Sequence, residues 1–333
     1  MLKNKEGANA PKKSISDIIS QISKSAIKTT KKELNLFENE WVIPNFLYKN
    51  SLVMIYSSAG SGKSWFAYSL SNYILKNNSN FEEIIYLDAD NGKVTLKNRN
   101  ISKILDNVKF THWLINGVKD YDIFNKLKSY NLSNRLFIID SIRNFMSNVN
   151  FNSDKEVLAF LSDLQEMRNN GATIIFLHHQ PKQVDGENNK LYKGSTSFID
   201  SVDEAYWLNN ISDKTQNFIL CLEPQKRRDE TKINCFELNA NELNLTIKDE
   251  KNIKILNLNQ KEKITIDLVC EIINLQKEIN QSNLSKKLNQ LANERAYDII
   301  GKNSLWRLLD DFNNILFKIT KDSHKNQKIF YKI

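Results

Sequence analysis

The chain has 333 residues, 41% hydrophobic and 10% aromatic, which is material for roughly two domains of about 150 residues each and excludes disorder as a whole. Its 47 Lys and Arg exceed its 39 Asp and Glu, giving a formal net charge of +8 that suits an anionic partner or a merely solvated basic surface. No apolar run approaches the about 18 residues that span a bilayer, and the opening MLKNKEGANAPKK lacks the apolar stretch of a signal peptide, so a soluble cytoplasmic protein without a membrane partner is expected.

Taken in chain order, the first thirteen residues are polar. The stretch SISDIISQISKSAIKTT then sets Ile15, Ile18, Ile19, Ile22 and Ala26 at helical spacing, so residues 1–40 read as a basic segment with one amphipathic helix. From 41 to 250, short apolar runs alternate with helical patterns. LVMIY (52–56), EIIYLD (83–88), VKFTHWL (108–114), RLFIID (135–140) and ATIIFLH (172–178) read as strands of a mostly parallel α/β sheet. After residue 203 the pattern is strand after strand (DEAYWLN, NFILCLE, NCFELN, LNLTIK), an antiparallel extension of that sheet. Residues 251–262 read as a linker. Over 263–333, three helices precede the runs ILFKIT and KIFYKI, which is the order of a winged helix. There Leu305, Leu308, Leu309 and Phe312 form the buried stripe, and Lys302 and Lys325 are candidates to contact DNA. The cysteines Cys221, Cys235 and Cys270 lie far apart without ligand spacing, which argues against a disulfide scaffold or a zinc site.

The strongest motif is SSAGSGKS, residues 57–64, set between the strand LVMIY and a helix that begins near Lys63. That context is the one a P-loop requires: backbone N–H groups around Gly60 and Gly62 point at phosphate oxygens at a helix N-terminus. Residues Ser58, Ala59, Gly60, Ser61, Gly62, Lys63, Ser64 and Trp65 are therefore the expected ATP-binding set. Lys63 would reach the β- and γ-phosphates and Ser64 would ligate Mg²⁺. The first glycine of the motif is replaced by Ser57. RLFIID places Asp140 at a strand end, the Walker B position, as the second metal-site residue.

The order of these motifs, with YLDADNG, LHHQPK, KGSTSFIDSVDEAYWL and QKRRDE, resembles the RecA-like ATPase core of the RepA-type plasmid helicases and their DnaB-class relatives, over about residues 38–250. The resemblance implies that Asp90, or failing it Asp88, activates the attacking water, and that His179 senses the γ-phosphate. It implies that the loop 181–194 faces single-stranded DNA in a ring channel, with Lys182, Lys190 and Lys193 near phosphates. Lys226 and Arg228 would cross to a neighbouring protomer's ATP, which makes the active form an oligomer, a ring of six. The expected activity is an ATP-dependent replicative DNA helicase of plasmid or phage type. The rivals are an ATP-switched, DNA-binding initiator or regulator, with duplex DNA at the winged helix, and a recombination mediator or helicase loader without unwinding activity.

Overall fold

The computed structural model describes residues 29–36, 40–77, 80–115, 123–146, 149–181, 190–212, 217–227, 231–256, 258–276, 278–321 and 327–333. The chain divides into two units, residues 1–40 and 41–333. The described part of the first holds one helix, α1 (Lys31–Leu36). The stripe from Ile15 to Ala26 lies outside the described residues.

The second unit opens with the hairpin β1 (Trp41–Ile43) and β2 (Leu47–Tyr48). It continues as β3 (Leu52–Ser57), α2 (Lys63–Asn77), β4 (Glu83–Asp88), α3 (Lys93–Asn98), α4 (Ser102–Leu105), β5 (Phe110–Leu114), α5 (Ile123–Leu127) and β6 (Arg135–Asp140). After a 3₁₀ turn (Ile142–Phe145) come α6 (Asp154–Asn169), β7 (Thr173–His179), α7 (Ser197–Ser201), β8 (Glu204–Asn210), β9 (Asn217–Lys226), β10 (Asn234–Asn239) and β11 (Asn244–Lys248). These strands form one nine-stranded sheet in the order β11-β10-β9-β8-β3-β7-β6-β4-β5. Pairing is parallel from β8 through β5 and antiparallel from β8 to β11, so the expected α/β core with its antiparallel extension is present.

The parallel strands form because their residues are apolar on both faces. All six residues of β3 are buried, as are five of six in β6 and six of seven in β7. One hydrophobic cluster, with Phe66, Leu70, Ile138 and Phe236, covers one face, and a second, with Phe137, Ile139, Leu161 and Phe176, covers the other. Each fully buried Leu, Ile or Phe contributes roughly 1.5–3 kcal/mol. Sandwiched in this way, the sheet holds the C-terminal ends of β3, β4, β6 and β7 at one edge, where open α/β sheets bind ligands.

The rest of the unit is α8 (Glu250–Leu256), α9 (Gln260–Asn274), β12 (Glu278–Asn280), α10 (Gln281–Glu294), α11 (Lys302–Asp311), β13 (Phe317–Lys321) and β14 (Lys328–Lys332). A separate apolar cluster holds this segment, with Val269, Leu284, Leu309, Phe317 and Phe330 at its centre. Leu305, Leu308, Leu309 and Phe312 are buried as the stripe required. Two local signals move the expected boundaries. Asp249 Oδ1 accepts from the Asn252 N–H at 2.8 Å, so the stretch read as a linker starts with a capped helix. Asn259 and Glu262 form a reciprocal capping box that starts α9 at Gln260. The short strand β12 also joins the hairpin, in the order β12-β14-β13.

The cysteine reading needs correction. Cys221 and Cys235 stand directly opposite on β9 and β10 and are joined as a disulfide, while Cys270 is free. No described helix is long and apolar enough to cross a membrane.

Candidate nucleotide site

The loop between β3 and α2 is shaped by two glycines in the left-handed region, Gly60 at φ +78° and Gly62 at φ +103°. Open space lies above Gly60, where a Cβ would meet nothing within 4 Å, whereas Gly62 backs onto Leu220 of β9. Ser57, in place of the motif's first glycine, is buried at the end of β3. Ser61 Oγ donates to the Ser58 carbonyl at 2.8 Å, so Ser57 is the donor in its 2.5 Å contact with Ser61 Oγ. The substituted serine thus cross-ties the loop from within. Ser58, Ala59 and Gly60 are exposed, Ser61, Gly62, Ser64 and Trp65 half-buried. Together they lead into the N-terminus of α2, where unpaired N–H groups favour an anion.

Lys63 is buried and its ammonium donates to the carbonyls of Ser57 at 3.1 Å and Ser58 at 2.8 Å. Burial lowers its pKa to about 8, against the opposing pull of Asp140 and Asp90. A cation held this way, beside an open glycine cradle, is matched to a phosphate that would replace the two carbonyls.

Three aspartates lie at the adjacent strand ends and differ in their surroundings. Asp140, ending β6, is buried; burial and the neighbouring Asp88 push its carboxyl up to about 6, partly offset by hydrogen bonds from Ser64 and Tyr86. Asp88 pairs with it in register on β4. Burial works to raise the Asp88 pKa, but it is outweighed by His112, by the Tyr68 hydroxyl and by the backbone N–H groups of Asn91 and Asp90, which hold the carboxyl below its usual range. Asp88 is therefore saturated with donors. Asp90 has 40% of its side chain exposed, lies 3.9 Å from His179 Nε2, and accepts from Asn144 Nδ2 at 3.1 Å. Of the two carboxylates left open by the sequence, Asp90 is the accessible one.

The two histidines that end β7 also part. His178 is buried, donates from Nε2 to the Lys193 carbonyl at 2.7 Å, and stacks on Phe198 with centroids 4.4 Å apart. Burial holds its pKa down at about 4, so it is a neutral core group. His179 sits in register with Ser57 and sets Nε2 3.3 Å from Ser141 Oγ. Burial, followed by the Lys63 charge, lowers its pKa.

The remaining expected residues are placed as follows. Lys190 is bound to Glu223 at 2.5 Å and lies over the Trp207 ring, so the role expected of it would require leaving that pair. Lys193 is half-buried, with its N–H on the His179 carbonyl. Lys226 donates to the carbonyls of Ile199 and Asp200. It pairs with Ala205, itself level with Met54 of β3, so it is displaced along the sheet from its own P-loop. Lys302 is exposed at the start of α11. Lys182, Arg228 and Lys325 lie outside the described residues.

Sequence reasoning missed Tyr68, Tyr86, Asn91, Arg99 and His112. A signal was present: Tyr68 is four residues after Ser64 on a helix, and Tyr86 two before Asp88 on a strand, so each shares a face with a site residue.

The donor set fits Mg²⁺·ATP. Ser64 and Asp140 are hydrogen-bonded oxygen donors at the mouth of an anion cradle, which suits a hard cation that keeps most of its waters and is shared with phosphates. No cluster of three or more His, Cys, Asp or Glu among the described residues forms a dedicated metal cage.

A family model described as an AAA domain matches residues 31–185, a span that contains the P-loop, Asp88, Asp90, Asp140 and His179 but not Lys226, Arg228 or the C-terminal segment. No curated protein matches the chain. Residues 31–185 are thus similar to an AAA domain, in keeping with a P-loop ATPase core over that span.

Proposed function

We propose that the protein is an oligomeric, Mg²⁺-dependent ATPase that works on DNA as a motor, a replicative helicase of the RepA-like plasmid or phage kind. The observation that carries the reading is the convergence of Lys63, Ser64, Asp140, Asp90 and His179 at the ends of four parallel strands, in the chain order of the RecA-like helicases. When bound, Mg²⁺·ATP supplies an electrophilic phosphorus with its charge partly neutralised. The loop N–H groups and Lys63 hold the phosphate oxygens. Ser64 and Asp140 hold the cation or its water shell, and Asp90 orients the attacking water and takes its proton. His179, between Ser141 and Asp90, links this chemistry to the loop that ends at Lys193. Lys226 and Arg228 act on the next protomer's nucleotide, and the displacement of Lys226 from its own P-loop supports action in trans. Six protomers then surround single-stranded DNA, which Lys182, Lys190 and Lys193 approach.

One observation favours a second reading. The C-terminal segment has the element order of a winged helix, with Lys302 and Arg307 exposed on α11. Used on duplex DNA, it would make the ATPase a switch for an initiator or regulator. Used on protein, it would fit a mediator or helicase loader.

Steady-state ATP turnover with and without single-stranded DNA, in wild type and Arg228→Ala, separates these. The motor reading expects DNA to raise turnover and Arg228→Ala to lose it while still binding nucleotide. Turnover indifferent to DNA and to Arg228→Ala removes the motor and leaves the switch.

A further inference from the structure

Two tyrosines stand behind the carboxylates where no nucleotide contact accounts for them. Tyr68 on α2 and Tyr86 on β4 are fully buried and stacked, with ring centroids 4.3 Å apart and 11° between planes. Their hydroxyls diverge. Tyr68 donates to Asp88 Oδ2 at 2.5 Å, and Tyr86 donates to Asp140 Oδ2 at 2.8 Å. His112 of β5 stacks on Tyr86 at 5.4 Å and sets Nε2 3.4 Å from Asp88 Oδ2.

Asn91 closes the arrangement. Its Nδ2 lies 3.0 and 3.1 Å from the two Asp88 oxygens and 3.3 Å from Asp140 Oδ2. Its Oδ1 accepts from Arg99 Nη1 at 2.8 Å, which fixes the direction of the amide, and the Arg99 guanidinium lies over the Trp65 ring. Asp140 Oδ2 therefore receives two donors, Tyr86 and Asn91, and the Ser64 hydroxyl donates to the same carboxylate. A carboxylate has about four acceptor sites, so this loading leaves it capacity for a cation. The stack holds Tyr86 in one place, and Asp140 turns only by breaking a buried hydrogen bond.

The geometry points to Tyr86, supported by Asn91 and by Tyr68 through Asp88, as the positioning residue that presents Asp140 to the divalent cation. This rests on the reading of Ser64 and Asp140 as the metal-binding pair. Partners that orient a metal ligand in this way are worth about 10–100-fold in metal affinity or activity.

The test is Tyr86→Phe in the full chain, which deletes one oxygen and keeps the stacked ring. Binding of a fluorescent ADP is measured in EDTA and across a Mg²⁺ titration, together with the thermal midpoint. The expected result is unchanged affinity in EDTA and a half-saturating Mg²⁺ concentration raised about tenfold. Tyr68→Phe, one step removed, gives a smaller rise. Tyr206→Phe is the control for a lost buried hydroxyl, because its oxygen ends on the Phe46 carbonyl. It shifts the thermal midpoint and leaves the Mg²⁺ titration in place. A wild-type Mg²⁺ midpoint in Tyr86→Phe overturns the inference. If Tyr86→Phe does not fold, Asn91→Ala on its half-buried turn decides, and a wild-type midpoint there overturns it equally. A wild-type protein whose ADP binding ignores Mg²⁺ removes the metal assignment itself, and the inference with it.

Discussion

Lys63 is a cation buried where its charge is disfavoured, and that has a measurable consequence. Burial lowers its pKa to about 8, and bound phosphate would restore the ordinary value near 10.5. The sign follows: the nucleotide-free lysine loses its proton as pH rises through about 8, so affinity falls there and binding takes up a proton. Calorimetry at pH 8.5 in two buffers of different ionisation enthalpy reads that uptake directly, and Lys63→Ala abolishes it.

His178 gives the complementary case in stability. Its folded pKa is depressed to about 4, against about 6.5 in the unfolded chain. The neutral ring's contribution is fully present above about 6.5 and is lost as pH falls toward 4, on the order of 3 kcal/mol across that window. His178→Gln keeps a donor for the Lys193 carbonyl without a titrating ring. Urea midpoints at pH 7 and pH 4.5 are expected to diverge less in His178→Gln than in wild type. The sequence placed two histidines at this strand end, but only packing separates them: alternation turns one ring into the Phe151–Phe198 cluster and the other toward Ser141 and Asp90. Asp88 and Asp90 are separated in the same way, because the donors that saturate Asp88 come from α2, β5 and the turn after β4.

Among the elements, the strands were legible because runs apolar on both faces have few other uses, and β4, β6 and β10 match their expected spans residue for residue. Helix starts were less legible where side chains set them, as with Asp249 and the Asn259–Glu262 box. The Cys221–Cys235 disulfide was invisible because strand register, not sequence spacing, brings the two together. The turn from α6 to β7 shows how firmly an element boundary can be fixed. Gly171 has φ +98°, its N–H reaches the Arg168 carbonyl, and a Cβ there would meet Ser133 backbone at 2.8 Å. Gly171→Ala is expected to cost at least about 2 kcal/mol in urea unfolding, with the site residues untouched.

At the scale of the whole molecule, the proposal places each ATP between protomers, and complementation tests it. Lys63→Ala removes a phosphate ligand from one side of the interface and Arg228→Ala the charge from the other. Mixed assemblies contain interfaces where an intact Lys63 meets an intact Arg228. Two inactive variants are therefore expected to regain turnover when mixed, whereas a site complete within one chain gives none. Such a partnership was suggested in sequence only by the order of motifs, and the register that sets Lys226 apart from its own P-loop comes from strand pairing.

The most direct measurement is ATP hydrolysis by the full chain over a Mg²⁺ titration, wild type beside Lys63→Ala, with thermal midpoints for both. A Mg²⁺-dependent turnover that falls at least about a hundredfold in Lys63→Ala, with the fold intact, is the expected result. Equal hydrolysis by the two proteins would contradict the assignment of the Gly60–Ser64 cradle as the catalytic nucleotide site.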